Sequence, residues 1–108
     1  MCIIIIKPLG VNVPTKRIIK SCFESNPDGA GIMFTIDGQV RIEKGFMGFK
    51  SFWKYHQHMQ FDKTVPVVYH FRIATAGGIS VGNCHPFPIT DNEDLLKFAN
   101  VAVPKTWQ

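Results

Sequence analysis

Four stretches of the chain show the hydrophobic patterns of β-strands. Residues 2–6 begin with a cysteine and continue through four isoleucines, which predicts a fully buried strand. Residues 30–36 and 39–44 alternate on either side of an Asp-Gly dipeptide at positions 37–38, the pattern of a tight hairpin. Residues 66–73 alternate in the same way and predict one more strand.

Two other segments carry hydrophobic residues at helical spacing. Thr15 is suited to cap a helix that extends to about Ser25. The inner face of this helix is predicted to carry Ile18, Ile19, Cys22 and Phe23. A second amphipathic helix is predicted from a stripe formed by Phe49, Phe52, Trp53, His56 and Met59. Such a stripe is typical of core packing and favours that role over base stacking.

The rest of the pattern completes a single α+β domain. Residues 74–90 are rich in Gly and Pro and predict a long ordered loop, followed by a short helix at about 92–98 and a weak strand at 99–103. Strands and helices in mixed order, with hairpin connections, favour a mostly antiparallel sheet. Because no repeat, linker or low-complexity tract interrupts the pattern, residues 1–108 are expected to form one domain.

Composition narrows the classes of function. No apolar run approaches the ~20 residues that a membrane helix needs, so no membrane association is expected. The three cysteines form no spaced pair, which favours a reducing, cytoplasmic setting over a disulfide framework. No Cys-x-x-Cys or His-x-x-x-His pairing supports a metal site, and no cofactor is predicted. The net charge of +4 comes from scattered residues, which argues against nucleic-acid binding.

Cys2 directly follows the initiator Met1, and this position carries the chemical interest of the chain. Methionine aminopeptidase removes an initiator methionine when the next side chain is small, and the product would hold a thiol and a free α-amine on one residue. An α-amine with an ordinary pKa of ~7.7–8 can accept the thiol proton near neutral pH. Cys2 is therefore a candidate nucleophile; the alternative is a small apolar residue that begins a strand.

Three further motifs accompany Cys2. They are Asn-Pro-Asp-Gly-Ala-Gly at residues 26–31, His-Phe-Arg-Ile-Ala-Thr-Ala-Gly-Gly at residues 70–78 and Asn-Cys-His-Pro at residues 83–86. Together with Met1-Cys2, their order and spacing resemble the class II glutamine amidotransferases, which are N-terminal-nucleophile hydrolases. The resemblance implies a partial αββα sandwich. It also implies hydrolysis of the glutamine side-chain amide, with the ammonia passed to a partner transferase or synthetase.

The resemblance implies a role for each matched residue. Cys2 would be the catalytic residue that attacks the amide carbon, and Arg72 would bind the α-carboxylate of glutamine through paired guanidinium contacts. The remaining substrate-binding positions would be Thr75, Ala76, Gly77 and Gly29. Residues that shape the surrounding loops would be Asp28, Gly31, Asn83, His85 and Pro86. The glycines of the 26–31 motif would let that turn approach the nucleophile closely.

Structural interpretations of the same residues stay open. Arg72 could form a structural ion pair, with Asp28 as one candidate partner. Thr75 could be an ordinary loop residue that bonds to backbone. His70, on an alternating strand, is by default a core histidine whose hydrogen bonds are satisfied.

The chain also departs from the family pattern. Ile3 stands where glycine is usual, and Ala76 where a histidine is common. The family carries a His-Asn-Gly stretch that supplies the oxyanion hole, and no such stretch follows the Asn-Cys-His-Pro motif before Gln108. The domain is therefore expected to be C-terminally incomplete relative to the family. Because loss of one oxyanion donor costs ~10²–10³ in turnover, the sequence leaves open whether the chain is an active enzyme.

The missing element also suggests an alternative function. The same half-fold could serve as a catalytically inactive binding or inhibitory protein, for example one encoded by a mobile element. In both cases part of a hydrophobic layer would be bare. We therefore expect a protein partner or a homo-oligomer to cover the open sheet.

Overall fold

A four-stranded antiparallel sheet and two helices form the fold in the computed structural model, which describes residues 1–75, 77–86 and 91. The elements are β1 (Ile3–Lys7), α1 (Lys16–Ser25), β2 (Ala30–Ile36), β3 (Gln39–Phe46), α2 (Phe49–Met59), β4 (Val67–Phe71) and a 3₁₀ turn (Val81–Asn83). The predicted α+β class is confirmed. The predicted helix at 92–98 and strand at 99–103 lie outside the described residues.

The order of strands in the sheet is β1-β4-β2-β3, so β4 lies between the first two strands of the chain. Ile3 pairs with Phe71 on one side of β4, and Ala30 pairs with Phe71 on the other. The amino ends of β1 and β2 therefore meet the carboxyl end of β4. This edge of the sheet gathers residues that are far apart in the sequence.

Both helices pack on one face of the sheet. α1 begins where the hydroxyl oxygen of Thr15 accepts a hydrogen bond from the Ile18 amide at 3.4 Å, as predicted. The helix ends at Ser25, and its C-cap is Asn26. Because Asn26 precedes a proline, helical backbone is disfavoured at this residue. The prediction that Ile18 lies on the inner face is wrong. Ile19 and Phe23 form the buried row of the helix, and Ile18 lies to one side of it, half exposed.

Aromatic rings fill the layer between the helices and the sheet. Phe52 of α2 lies at the centre of this layer. The distances from the centroid of its ring to the ring centroids of Phe46, Phe71 and Phe23 are 5.2, 5.8 and 6.1 Å. Rings packed edge-to-face at these distances add stability beyond the burial of their area. The aromatic stripe predicted for α2 is therefore core packing, as expected. No helix within the described ranges is long and apolar enough to cross a membrane.

The prediction that residues 2–6 form a fully buried strand is wrong. Ile3 and Ile5 are partly buried against the helix-side core, whereas Ile4 and Ile6 are 59% and 71% exposed. Successive side chains of a strand point to opposite faces, and helices cover only one face at β1. We call the other face of the sheet, which also carries Val40, the outer face.

Candidate functional site

Asn26 links the two peptide bonds that precede Cys2 and Arg72. Its side-chain amide nitrogen, Nδ2, donates hydrogen bonds to the carbonyl oxygen of Met1 at 2.7 Å and to that of Phe71 at 3.2 Å. The Asn26 side chain is buried, with 6% of its residue surface exposed. One buried amide therefore fastens the start of the chain to the carboxyl end of β4.

The strand register brings Cys2 and Arg72 to the same place. Ile3 pairs with Phe71, and extending this antiparallel ladder by one residue sets Cys2 opposite Arg72. Cys2 is partly buried and Arg72 is 5% exposed. Cys2 and Arg72 therefore leave neighbouring strands at the same edge of the sheet.

The 26–31 turn is hydrogen-bonded to the same end of β4. The Arg72 amide donates to the Gly29 carbonyl oxygen at 2.9 Å, and the Asp28 amide donates to the Arg72 carbonyl oxygen at 3.0 Å. The Asp28 carboxylate in turn accepts a hydrogen bond from the Ala74 amide at 2.8 Å. Asp28 thus makes hydrogen bonds to the backbone of both Arg72 and Ala74.

The guanidinium of Arg72 reaches the loop that follows β4. Its Nη1 donates a hydrogen bond to the Gly78 carbonyl oxygen at 2.9 Å, and the side chain of Asn83 donates to the same oxygen, also at 2.9 Å. Gly77 has a φ of +76°, a conformation that favours glycine, and a Cβ there would lie 3.8 Å from Arg72 Nη2. Thr75, which follows Arg72 by three residues in the sequence, is exposed to solvent. Ala76 lies outside the described residues.

Gly29 and Gly31 make room for the Asn-Cys-His-Pro segment. A Cβ at Gly29 would lie 2.3 Å from the Cys84 thiol, and a Cβ at Gly31 would lie 1.7 Å from the His85 carbonyl oxygen. The space beside each glycine is therefore occupied by the loop, by Cys84 at Gly29 and by His85 at Gly31, where the loop crosses the outer face of the sheet. At these two positions the turn closely approaches the 84–85 segment, and its predicted approach to Cys2 stays a prediction. The His85–Pro86 peptide bond is cis.

Three ionisable residues, His70, His85 and Lys44, lie around Gly31, where the 83–86 segment meets the sheet. The rings of His70 and His85 are 4.6 Å apart, and Gly31 pairs with both His70 and Lys44 across the sheet. Burial, together with smaller effects of the neighbouring His85 and Arg72, lowers the pKa of His70 to about 4. Burial also lowers the pKa of His85, so both rings are neutral near pH 7.

His70 agrees only partly with the interpretation of a satisfied core histidine. It is buried, as expected, but its Nδ1 has no hydrogen-bond partner within the described part of the chain. Because the ring is neutral, burying Nδ1 without a partner costs less free energy than it would in a charged imidazolium, which would need acceptors for both ring nitrogens.

Two sulfur atoms meet beside Gly29. The Cys84 thiol is fully buried and lies 3.7 Å from the thioether sulfur of Met47 and 3.5 Å from the carbonyl oxygen of Ser80. Burial raises the pKa of Cys84, with smaller opposing effects from the Gly45 amide and from nearby cations. Cys84 is therefore a buried packing residue whose thiol is neutral near pH 7.

Sequence reasoning identified most of the residues that meet here and missed three. It found the two ends of the ladder, the 26–31 turn and the 83–86 segment. It did not assign roles to Asn26, Cys84 or Met47. The signal for Asn26 was present, because an asparagine between a helix and a proline is suited to bond to neighbouring backbone. Cys84 and Met47 gave no comparable signal.

Comparison with known proteins adds no identification. No family model, no curated protein and no solved structure matches this chain. Among the described residues, no group of three or more His, Cys, Asp or Glu side chains is placed to hold a metal ion.

Proposed function

We propose that this chain is a glutamine amidotransferase-like domain in which Cys2, once Met1 is removed, hydrolyses the side-chain amide of glutamine. The observation that carries the proposal is the bridge from Asn26 to the carbonyl oxygens of Met1 and Phe71, together with the strand register, whose last pair, Ile3 and Phe71, lies next to Cys2 and Arg72. A nucleophile and a carboxylate-binding cation then emerge from adjacent strands at one edge of the sheet.

The chemistry follows from these groups. The α-amine of Cys2 takes the thiol proton, and the sulfur attacks the amide carbon of glutamine. Collapse of the adduct releases ammonia, which leaves with a proton from the ammonium group, and forms a thioester. Water then attacks the thioester and releases glutamate, so that the net reaction is glutamine plus water to glutamate plus ammonia.

Arg72 gives this reaction its preference for an amino acid. A guanidinium makes paired contacts with a carboxylate, and burial strengthens such contacts. Its Nη1 donates to the Gly78 carbonyl oxygen, which fixes the orientation of the guanidinium. The ammonia would pass to a partner transferase or synthetase. The reaction also requires hydrogen-bond donors for the oxyanion that forms when the sulfur attacks.

Covalent labelling tests the proposal directly. Protein lacking Met1, verified by intact mass, is treated with an electrophilic glutamine analogue, and the adduct is located by peptide mass spectrometry. We expect one adduct at Cys2, competition by glutamine, and no adduct in a Cys2→Ala variant. A Cys22→Ala variant is the matched control, since Cys22 is also partly buried and lies on α1. Processed, folded protein that gives no adduct at Cys2 would refute the proposal.

A second candidate function is that of a non-catalytic binding or inhibitory protein. The observation that favours it is the exposure of Ile4, Ile6 and Val40 on the outer face, where a partner or a second copy could cover them. An Ile4→Lys/Ile6→Lys variant tests this reading in a light-scattering measurement of mass. Loss of an oligomer would favour a covered outer face. Biological activity that survives Cys2→Ala would favour binding over chemistry.

A further inference from the structure

The side chain of Asn26 is held in one orientation. Its backbone amide donates to the Cys22 carbonyl oxygen at 3.0 Å, and the following proline restricts its backbone. Both hydrogen-bond partners of the side chain are carbonyl oxygens, those of Met1 and Phe71. A flipped amide would set its own oxygen against two acceptors, so the NH₂ group must face them.

Removal of Met1 changes what this NH₂ group meets. The carbonyl carbon of Met1 is bonded to the nitrogen of Cys2, so cleavage removes the acceptor and leaves the new α-amine next to its place. Phe71 keeps its hydrogen bond at 3.2 Å and continues to hold the amide in position. The second N–H of Asn26 then points to the vacated space beside the α-amine of Cys2. Met1 itself is 95% exposed and thus open to an aminopeptidase.

An N–H donor beside an amine distinguishes between its two protonation states. The neutral amine has a lone pair that accepts a hydrogen bond, whereas the ammonium has none and can only donate. A donor at this place therefore favours the neutral form. The ladder and the turn bring Arg72 and Asp28 to this end of β1, and the rings of His70, which pairs with Ile4, and of the neighbouring His85 are both neutral near pH 7. Arg72 acts in the same direction as Asn26. Asp28 opposes it, but its carboxylate is engaged by the Ala74 amide.

We propose that Asn26 is a positioning residue that keeps the α-amine of processed Cys2 neutral and able to accept the thiol proton. Removal of Met1 then has two effects. It frees the α-amine of Cys2, and it makes the Asn26 N–H that had donated to the Met1 carbonyl oxygen available to this amine. The inference rests on the proposed function in that Cys2 uses its own amine as the base. It assigns to the Asn-Pro-Asp motif a role in proton transfer as well as in the turn.

Titration of the amine tests this role without any measurement of turnover. Met1-free protein is labelled with ¹⁵N-cysteine, and the Cys2 α-amine resonance is followed across the range in which an α-amine titrates. We expect the wild-type pKa to lie below the ordinary ~7.7–8. Asn26→Asp replaces the donor with a carboxylate that stabilises the ammonium, and should raise the pKa by about 1. Asn26→Ala removes the donor without adding charge and should give a smaller rise. Asn12→Asp adds the same charge at an exposed loop position and should leave the pKa unchanged.

The outcomes separate this inference from the proposed function. A wild-type amine with an ordinary pKa overturns the inference, whether or not the variants fold. Folded Asn26 variants that titrate like the wild type overturn it as well. A lowered pKa that rises in both variants supports the inference even if the protein does not label with the glutamine analogue, a result that would refute only the proposed hydrolysis.

Discussion

Arg72 and Asn83 donate hydrogen bonds to the same acceptor, the carbonyl oxygen of Gly78, and each bond is 2.9 Å long. The first donor is buried at the end of β4, and the second lies on the 3₁₀ turn of the following loop. A shared acceptor makes the two side chains interdependent, because movement of the loop alters the environment of the guanidinium. The position of Arg72 is thus set by the loop as well as by the sheet.

The shared acceptor predicts that Asn83→Ala loosens the loop. Loss of one hydrogen bond should lower the free energy of unfolding by about 1 kcal/mol. Amide hydrogen exchange in peptides covering residues 77–86 should become faster, while exchange in β4 stays slow. An Asn12→Ala variant serves as the control, because Asn12 is exposed in a different loop. Equal exchange in the wild type and Asn83→Ala would show that Asn83 does not hold the loop.

Replacing the guanidinium with an ammonium tests the proposed substrate contact. Arg72→Lys keeps the charge but loses the paired geometry that a carboxylate accepts. A charge-assisted contact contributes about 1.5–3 kcal/mol, so KM for glutamine should rise about 10–100-fold with a smaller effect on kcat. The measurement is the glutamate released by Met1-free protein as glutamine is varied. An unchanged KM in a folded variant would exclude Arg72 from substrate binding.

The two glycines of the 26–31 turn predict a steric effect. Gly31→Ala would place a Cβ 1.7 Å from the His85 carbonyl oxygen, which belongs to backbone and cannot simply rotate away. Gly29→Ala would meet the Cys84 thiol at 2.3 Å and would also strain a φ of +120°. Each substitution should lower the free energy of unfolding by about 1–3 kcal/mol, as overpacking usually does. Thermal or chemical denaturation measures the loss.

Two controls make the steric explanation specific. Gly82→Ala lies in the loop itself, where an added Cβ has nothing within 4 Å, and should change stability little. Cys84→Ala removes the thiol that Gly29→Ala would strike, so the double variant should recover part of the stability lost by Gly29→Ala. Strictly additive losses in this cycle would contradict the contact between Gly29 and Cys84.

The elements that the sequence predicts well are those set by local chemistry. The Asp-Gly turn, the Thr15 cap and the aromatic stripe of α2 all depend on residues within a few positions of one another, and each is present in the structure. The exposure of Ile4 and Ile6 could not be predicted in the same way. Four consecutive isoleucines fit a strand with one covered face or two, and only the packing of distant elements decides between them.

The candidate site shows the same division. The motifs pointed to Cys2 and Arg72 as candidate reactive residues. Their arrival at the same edge of the sheet depends on the register of β1 with β4, which local patterns do not specify. The glycines of the turn were predicted to allow a close approach. That Cys84 fills the space at Gly29 is a long-range contact without a sequence pattern of its own. Asn26 became informative only when both of its acceptors were located.

His56 predicts how stability depends on pH. Its Nε2 lies 2.7 Å from the Tyr69 hydroxyl in the core, and burial lowers its pKa to about 4. In the unfolded chain a histidine titrates near ~6.5, so the unfolded state binds more protons between these two values. The free energy of unfolding should therefore fall as the pH falls from about 6.5 to about 4, by up to about 3 kcal/mol. Above this range the contribution is fully present.

Denaturant titrations at several pH values test this dependence against two variants. His56→Gln keeps a hydrogen-bonding group for Tyr69 but does not titrate, so it should reduce the slope of stability between about pH 6.5 and about pH 4. The remaining slope would come from His70, whose pKa burial also lowers to about 4, and from His85, whose pKa burial lowers as well. His58→Gln makes the same replacement at an exposed position on the same helix and is the control for the substitution itself. A slope that is unaffected by His56→Gln would mean that the buried imidazole is not what makes the fold sensitive to acid.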